Sequence, residues 1–176
     1  MTPQTVPAIT FHTRVRNPEL EGDNPFEWRD ITTDEIFAGK RVVVFGLPGA
    51  FTPACTDSHL PGYERLHDDF IAEGIDRVVC TAVNDAFVMY QWAKALGVEK
   101  VMMLPDGNGE FARRMGMLVD RSNQGMGMRS WRYSMLVEDR AIKQLFAEPD
   151  ICDVPSSIPM DASAAEVMLE HIRRGA

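Results

Sequence analysis

A β-branched apolar run at residues 41–46, Arg-Val-Val-Val-Phe-Gly, predicts a buried central strand. An irregular segment follows at residues 48–56, Pro-Gly-Ala-Phe-Thr-Pro-Ala-Cys-Thr, and residues 57–70 then carry apolar side chains at helical spacing. Cys55 therefore lies where a strand passes through a Pro/Gly loop into a helix. The free N–H groups and positive dipole end at such a place favour an anion, here a thiolate. The pattern predicts a cysteine nucleophile at position 55.

The rest of the chain alternates strands and helices without a repeat or a linker. Further strands are predicted at residues 76–83, 101–104, 131–137 and 141–146, and helices at residues 86–96, 109–115 and 164–174, the last capped by Asp161-Ala162-Ser163. Residues 8–15 predict an edge strand, residues 17–30 and 126–130 loops, and residues 32–37 a capped turn.

This order of elements predicts the fold class. Alternating strands and helices favour parallel pairing, and the late hairpin at residues 131–146 adds an antiparallel part. The expectation is a mixed-sheet α/β domain, and a thioredoxin-like fold fits it. A chain of 176 residues is long enough for one well-cored domain, here taken as residues 1–176.

Charge and cysteine usage exclude several classes of protein. A formal net charge of −8 argues against binding nucleic acid or an anionic membrane through bulk electrostatics. No apolar run approaches the ~18–20 residues of a membrane helix, and residues 1–10 lack the features of a signal peptide. Cys55, Cys80 and Cys152 are widely spaced and form no zinc-like pattern with the histidines. We expect a reduced cytoplasmic protein without a metal or a cofactor.

The residues around Cys55 leave two roles open for the threonine and for the cysteine. Thr52 lies three residues before Cys55, so on a helical turn its hydroxyl faces the same way as the sulfur and can bond an oxygen substrate. A threonine before a proline is also a common helix N-cap, and the two roles are compatible. A lone cysteine is often a small buried apolar residue. Pro48 and Pro53 favour a loop rather than packed core around it.

Residues 48–56 resemble the active-site motif of the peroxiredoxin family, Pro-x-x-x-Thr-x-x-Cys. The fuller form, Pro-Gly-Ala-Phe-Thr-Pro-x-Cys, resembles the type II (peroxiredoxin 5-like) branch. Three further stretches resemble that branch: His59-Leu60-Pro61-Gly62-Tyr63, Val83-Asn84-Asp85-Ala86-Phe87-Val88 and Arg132-Tyr133-Ser134-Met135. The resemblance implies a thiol peroxidase that reduces hydrogen peroxide and small organic hydroperoxides.

The resemblance also implies a role for each residue of the site. Cys55 matches the peroxidatic cysteine, whose thiolate attacks the peroxide and becomes a sulfenic acid. Thr52 matches the threonine that bonds the peroxide, and Pro48 the proline that shields the site from water. Arg132 matches the arginine that holds the thiolate and polarises the peroxide, which suits a guanidinium because negative charge grows on the leaving oxygen. Arg129 is a competitor of lower rank.

The other two cysteines bear on how the Cys55 sulfenic acid is reduced back to the thiol. Cys80 lies in an apolar strand and reads as a buried structural thiol. Cys152 lies in a proline-containing loop, comes earlier than the resolving cysteine of two-cysteine members, and has Asp150 and Asp153 beside it to disfavour its thiolate. The favoured interpretation is a one-cysteine cycle with glutathione or glutaredoxin as reductant, thioredoxin being another, and the family implies a homodimer.

Two further interpretations stay open. His59, four residues after Cys55, is expected at the helix surface or an interface, with tuning of the thiolate as the alternative. The alternative function is a peroxide-sensing module that signals through oxidation of Cys55 to a partner. A disulfide oxidoreductase is disfavoured because no Cys-x-x-Cys pair is present.

Overall fold

The computed structural model describes residues 3–22 and 25–175. Its elements are, in chain order, β1 (Thr10–Arg16), β2 (Phe26–Thr32), α1 (Thr33–Phe37), β3 (Arg41–Gly46), a π-helical turn (Cys55–His59), α2 (Leu60–Arg65), α3 (His67–Ala72), β4 (Arg77–Ala82), α4 (Ala86–Leu96), β5 (Met102–Pro105), α5 (Glu110–Arg114), β6 (Leu118–Asp120), a 3-10 turn (Ser122–Gln124), β7 (Met128–Ser130), β8 (Tyr133–Glu138), β9 (Ala141–Ala147) and α6 (Ala165–Arg173). Residues 1, 2 and 176 of the predicted domain, and 23 and 24 of the predicted loop, lie outside the described residues.

Five strands form the main sheet in the order β5-β4-β3-β8-β9. β3 pairs in parallel with β4 and antiparallel with β8, and β8 pairs antiparallel with β9. The predicted mixed sheet with helices on its faces, a thioredoxin-like single domain, is therefore confirmed. Its central strand is the β-branched run at residues 41–46.

Both faces of β3 are covered by apolar side chains. Val43 and Phe45 point into the cluster that contains Cys55, Tyr63 and α6, and the alternate residues point to the opposite cluster with α1 and α5. A strand buried on both faces reads as a continuous apolar run, which is why the pattern identified it. The carboxyl end of β3 is thus held rigidly from both sides.

Two short ribbons differ from the predicted loops. β2 pairs antiparallel with β1, from Thr10 opposite Thr32 to Arg16 opposite Phe26, so the loop predicted for residues 26–30 is wrong. Residues 10–16 likewise pair with β2 and not with the edge of the main sheet. β7 pairs with β6, where a loop was predicted as well. Each ribbon depends on contacts between strands, such as Arg14 lying 5.7 Å from the Trp28 ring centroid.

α1 and α4 have side-chain N-caps, whereas α6 lacks the one predicted for it. Thr32 caps α1 with a capping box to Glu35, as the predicted capped turn requires, and Asp85 caps α4 by accepting from two amides. At α6 the N-cap residue is Ala164, without a side-chain cap, so the predicted 161–163 cap is wrong. The Ser163 hydroxyl donates instead to Glu148 Oε1 at 2.7 Å.

No helix within the described ranges is both long enough and apolar enough to pass through a lipid bilayer.

Candidate active site

Cys55 lies just beyond the carboxyl end of β3, where open α/β sheets place their ligand sites. Its side chain is fully buried, at the start of the π-helical turn in which Leu60 N–H donates to the Cys55 carbonyl. Thr52 opens this helical segment, since its carbonyl accepts from Thr56 N at 3.0 Å. The predicted passage from a strand through a loop into a helix is therefore present, and π-helical turns recur at functional sites.

The loop before Cys55 is fixed by side chains as well as by its prolines. The Thr52 hydroxyl donates to the Gly49 carbonyl at 2.7 Å, and Ala50 N–H donates to Asn84 Oδ1 at 2.9 Å. Pro48 is buried at the start of the loop. Asn84 follows β4, the parallel neighbour of β3, so it reaches the loop from the next strand end. From the sequence, Asn84 was named only within a stretch that resembles the type II branch, although its place after β4 was a usable signal.

Arg132 contacts the sulfur of Cys55. Tyr133 pairs with Gly46 in the β3–β8 ladder, which places Arg132 beside the carboxyl end of β3. The Arg132 side chain is 3% exposed, and its Nη1 lies 3.4 Å from Cys55 Sγ. Within residues 3–22 and 25–175 no carboxylate forms an ion pair with it. Because a buried cation needs a partner, we infer that the Cys55 sulfur is one partner of the Arg132 charge.

His59 is the second partner of Arg132. Arg132 Nη1 donates to His59 Nδ1 at 3.1 Å, and His59 Nε2 lies 3.1 Å from the Ser163 carbonyl. Because a carbonyl only accepts, Nε2 carries the proton and Nδ1 offers a lone pair. His59 is 1% exposed, so the expected surface position is wrong. Burial, with the neighbouring Arg132, lowers the pKa of His59 to about 3 and keeps the imidazole neutral.

Tyr63 supports this corner of the site from the next helical turn. Its hydroxyl donates to the same Ser163 carbonyl at 2.9 Å, and its ring stacks on Phe45 of β3 with centroids 3.9 Å apart. Burial raises the pKa of Tyr63, so the hydroxyl keeps its proton and remains a donor. Ser163 therefore accepts two hydrogen bonds from the helical segment that carries Cys55.

The competitor Arg129 has other partners. Its Nη1 donates to the Val83 carbonyl and its Nε to the Met126 carbonyl, both at 2.9 Å. Nη1 also lies 3.2 Å from the place where a Cβ on Gly49 would stand. Arg129 thus bonds backbone carbonyls outside residues 48–56, whereas Arg132 is the arginine bonded to the sulfur.

The other two cysteines occupy contrasting places. Cys80 is fully buried on β4, and burial, with Cys55 nearby, raises its pKa well above the ordinary value, as expected of a structural thiol. Cys152 is exposed in the segment between β9 and α6. All three cysteines are free thiols. In the part of the chain that the structure describes, no three His, Cys, Asp or Glu side chains cluster as metal ligands.

Comparisons with known proteins agree with this geometry. The family model described as Redoxin matches residues 6–161. The chain is 54% identical over 173 residues to "Peroxiredoxin sll1621" of Synechocystis sp., covering 98% of this chain and 92% of that one. It superposes on the 1-Cys peroxiredoxin of Plasmodium falciparum with a TM-score of 0.89 at 35% identity, covering 97% and 98% of the two chains. Reduced Prx3 of Vibrio vulnificus, solved in complex with H2O2, gives a TM-score of 0.83 at 35% identity, covering 99% and 97%.

Proposed function

The chain belongs to the peroxiredoxin family, in its type II branch, and is therefore a thiol peroxidase; we propose that it reduces hydrogen peroxide and small organic hydroperoxides through a sulfenic acid on Cys55. The Cys55 thiolate attacks the terminal peroxide oxygen, and the O–O bond breaks. Cys55 becomes a sulfenic acid, and the leaving oxygen departs as water or an alcohol once it has taken up a proton.

The contact between Arg132 Nη1 and Cys55 Sγ is the observation that carries the proposal. A guanidinium that forms no ion pair with a carboxylate of the described residues can stabilise the thiolate before the reaction. It also stabilises the negative charge that grows on the leaving oxygen during it. Because the group is buried and already oriented, little reorganisation accompanies the reaction.

Thr52 and Pro48 complete the proposed site. The Thr52 hydroxyl donates to Gly49 O in the loop that borders Cys55, and its oxygen remains an acceptor for the peroxide proton. Pro48 offers no N–H, and its buried ring keeps water from the sulfur. Both side chains belong to a loop whose backbone is fixed by Asn84.

For the second half of the cycle we propose an external thiol. Cys55 is buried while Cys152 is exposed, and Cys80 is held as a poorly nucleophilic thiol. A glutathione thiolate would attack the sulfenic sulfur and release water, and glutaredoxin or a second glutathione would then reduce the mixed disulfide. Thioredoxin is the alternative donor. The likeness to a protein described as a 1-Cys peroxiredoxin supports this cycle.

Mass spectrometry of the peroxide-treated protein tests both halves. We expect one added oxygen on Cys55 without glutathione, a glutathione adduct on Cys55 with it, and neither in Cys55→Ser. A Cys55–Cys152 crosslink would overturn the one-cysteine cycle but leave the peroxidase intact. Peroxide consumption by the Cys55→Ser variant at the unmodified rate would overturn the role of Cys55.

We also propose a cytoplasmic homodimer. Phe51 beside Thr52 is 57% exposed with a φ of 61°, and Phe87 at the start of α4 is 50% exposed. Large exposed aromatic side chains are typical of interfaces. Sedimentation of the protein and of Phe87→Glu is the test: the variant should shift towards the monomer, and a monomeric unmodified protein would exclude the dimer.

A further inference from the structure

Arg132 and Glu148 face each other where the β8–β9 ladder ends. Tyr133 pairs with Ala147, and Glu148 N–H donates to the Arg132 carbonyl at 3.0 Å, so the two residues are directly opposite. Directly opposite residues project their side chains to the same face of a sheet. Both are buried, at 3% and 2% exposed, and they carry opposite charges. Neither the motif nor the family resemblance pointed to Glu148.

One oxygen of the Glu148 carboxylate closes a loop. Its Oε1 accepts from Asp161 N and Ser163 N, both at 2.9 Å, and from the Ser163 hydroxyl at 2.7 Å. Burial alone would raise the pKa of Glu148, but these bonds hold it below the ordinary value, so the group is a carboxylate. The loop of residues 149–160, which carries Cys152, therefore begins and ends at this side chain.

The residue that Glu148 holds is the one that fixes His59. The Ser163 carbonyl sets the tautomer of His59 through Nε2, and His59 Nδ1 accepts from Arg132 Nη1. A shift of Ser163 would move the acceptor or release the imidazole. Arg132 would then lose the bond that aims Nη1 towards the sulfur.

The remaining polar atoms of the facing pair are complementary. Arg132 Nε and Glu148 Oε2 are both buried, and neither has a hydrogen-bond partner in the described chain. One is a donor and the other an acceptor, on side chains of opposite charge that share one face of the sheet. No ion pair joins these two described side chains, so Glu148 reaches Arg132 through Ser163 and His59.

We propose that Glu148 is a positioning residue for Arg132, acting through Ser163 and His59. The inference rests on the proposed role of Arg132 in activating peroxide. Its competitor is a purely structural role, in which Glu148 only closes the 149–160 loop.

The test compares two reactions of the same thiolate in one protein. Oxidation by hydrogen peroxide needs the oriented guanidinium at the leaving oxygen, whereas alkylation by iodoacetamide needs only the thiolate. We expect Glu148→Ala to lower the ratio of the peroxide rate constant to the alkylation rate constant about tenfold. An unchanged ratio in the folded variant would overturn the proposal.

Glu64 supplies a matched control. Its carboxylate also accepts from three backbone amides, those of Glu99, Lys100 and Val101, in a turn remote from the site. Glu64→Ala should lower stability without changing the ratio of the two rates. If the ratio fell equally in both variants, the loss of any carboxylate that accepts several backbone hydrogen bonds would lower it. That result would overturn the specific role of Glu148.

Further variants separate positioning from folding. Glu148→Gln retains the Oε1 acceptor, so it should recover most of the ratio. Glu148→Asp shortens the side chain by one methylene, so its carboxylate should no longer reach Ser163 and the ratio should fall as in Glu148→Ala. This variant replaces the alanine variant if that one does not fold. A glutamine variant as slow as the aspartate variant would overturn the proposed path through Ser163.

A double variant separates this inference from the proposed function. If Glu148 acts through Arg132, Glu148→Ala should cost nothing more in an Arg132→Gln protein. Arg132→Gln must itself slow oxidation by peroxide, otherwise the proposed function fails. If Arg132→Gln slows oxidation and Glu148→Ala adds a full further loss, only the positioning role fails.

Discussion

Nη1 of Arg132 lies 3.4 Å from Sγ of Cys55, although 77 positions of sequence separate the two residues. The contact exists because β8 runs antiparallel to β3 and begins where β3 ends. An arginine and a cysteine that lie far apart in the sequence are thus hydrogen-bonded in the folded chain.

Replacing Arg132 by lysine should lower the rate constant for oxidation by hydrogen peroxide about a hundredfold. A lysine keeps the charge but cannot present fixed, diverging N–H donors to Cys55 and His59 together. Stopped-flow tryptophan fluorescence measures the rate. Arg129→Lys is the control, because Arg129 donates to backbone carbonyls; an equal loss there would contradict the assignment.

Thr52→Val should lower the same rate constant about ten- to a hundredfold, while Thr52→Ser should retain most of it. Serine preserves the hydroxyl that donates to Gly49 O and remains free to accept from the peroxide, and valine preserves only the shape. Comparison of the two variants by stopped flow isolates the hydroxyl. Equal rates in valine and serine variants would remove Thr52 from the mechanism.

His59 should make the protein sensitive to mild acid. Its pKa is about 3 when folded, against 6.5 for the free side chain, so the unfolded chain binds the proton first. His59 therefore leaves the free energy of unfolding at its full value above about pH 6.5. Below that pH the free energy of unfolding falls by about 1.4 kcal/mol per pH unit until the pH approaches 3. Denaturant unfolding gives the free energy of unfolding at each pH for the unmodified protein and for His59→Phe. Plotted against pH, the two free energies should have slopes that differ by the equivalent of one bound proton. Parallel slopes would contradict a neutral buried imidazole.

Gly46→Ala should destabilise the protein by about 3 kcal/mol. A Cβ on Gly46 would lie 2.2 Å from Cε1 of the buried Tyr133 ring, so the ladder beside Arg132 must shift. Gly62→Ala is the comparison, because its Cβ would meet only the Ala165 Cβ at 3.8 Å and alanine favours the helix, for a gain of up to about 1 kcal/mol. Urea unfolding measures both, and similar stabilities would refute the steric argument.

Local rules identified the elements whose signals lie within one segment. The β-branched run at residues 41–46 predicted β3, and the helix predicted at residues 86–96 agrees with α4 at both ends. β2 and β7 were predicted as loops because their residues form strands only through pairing with a neighbouring strand. A loop-rich composition conceals such ribbons.

The residues of the site also fall into those that a local motif identifies and those that depend on tertiary contacts. Cys55, Thr52 and Pro48 lie in one motif, so sequence reasoning reached them, and the family resemblance added Arg132. His59 was misjudged, because an i+4 spacing alone does not reveal that its face packs against Arg132 and Ser163. Glu148 was missed because its relation to Arg132 depends on the register of two strands and on the return of the chain at Ser163.

The loop of residues 149–160 has a consequence for chain length. Its two ends meet at Glu148, and its first half is tied to the β6–β7 ribbon by Asp153, whose Oδ1 accepts from Asp120 N at 2.8 Å. Lengthening a closed loop is entropically cheap, at about 0.6 kcal/mol for each doubling. A peptide tag inserted after the exposed Ser157 would extend the loop while both anchors stay in place. This loop is therefore a place where the chain can accept foreign sequence without disturbing the thiol.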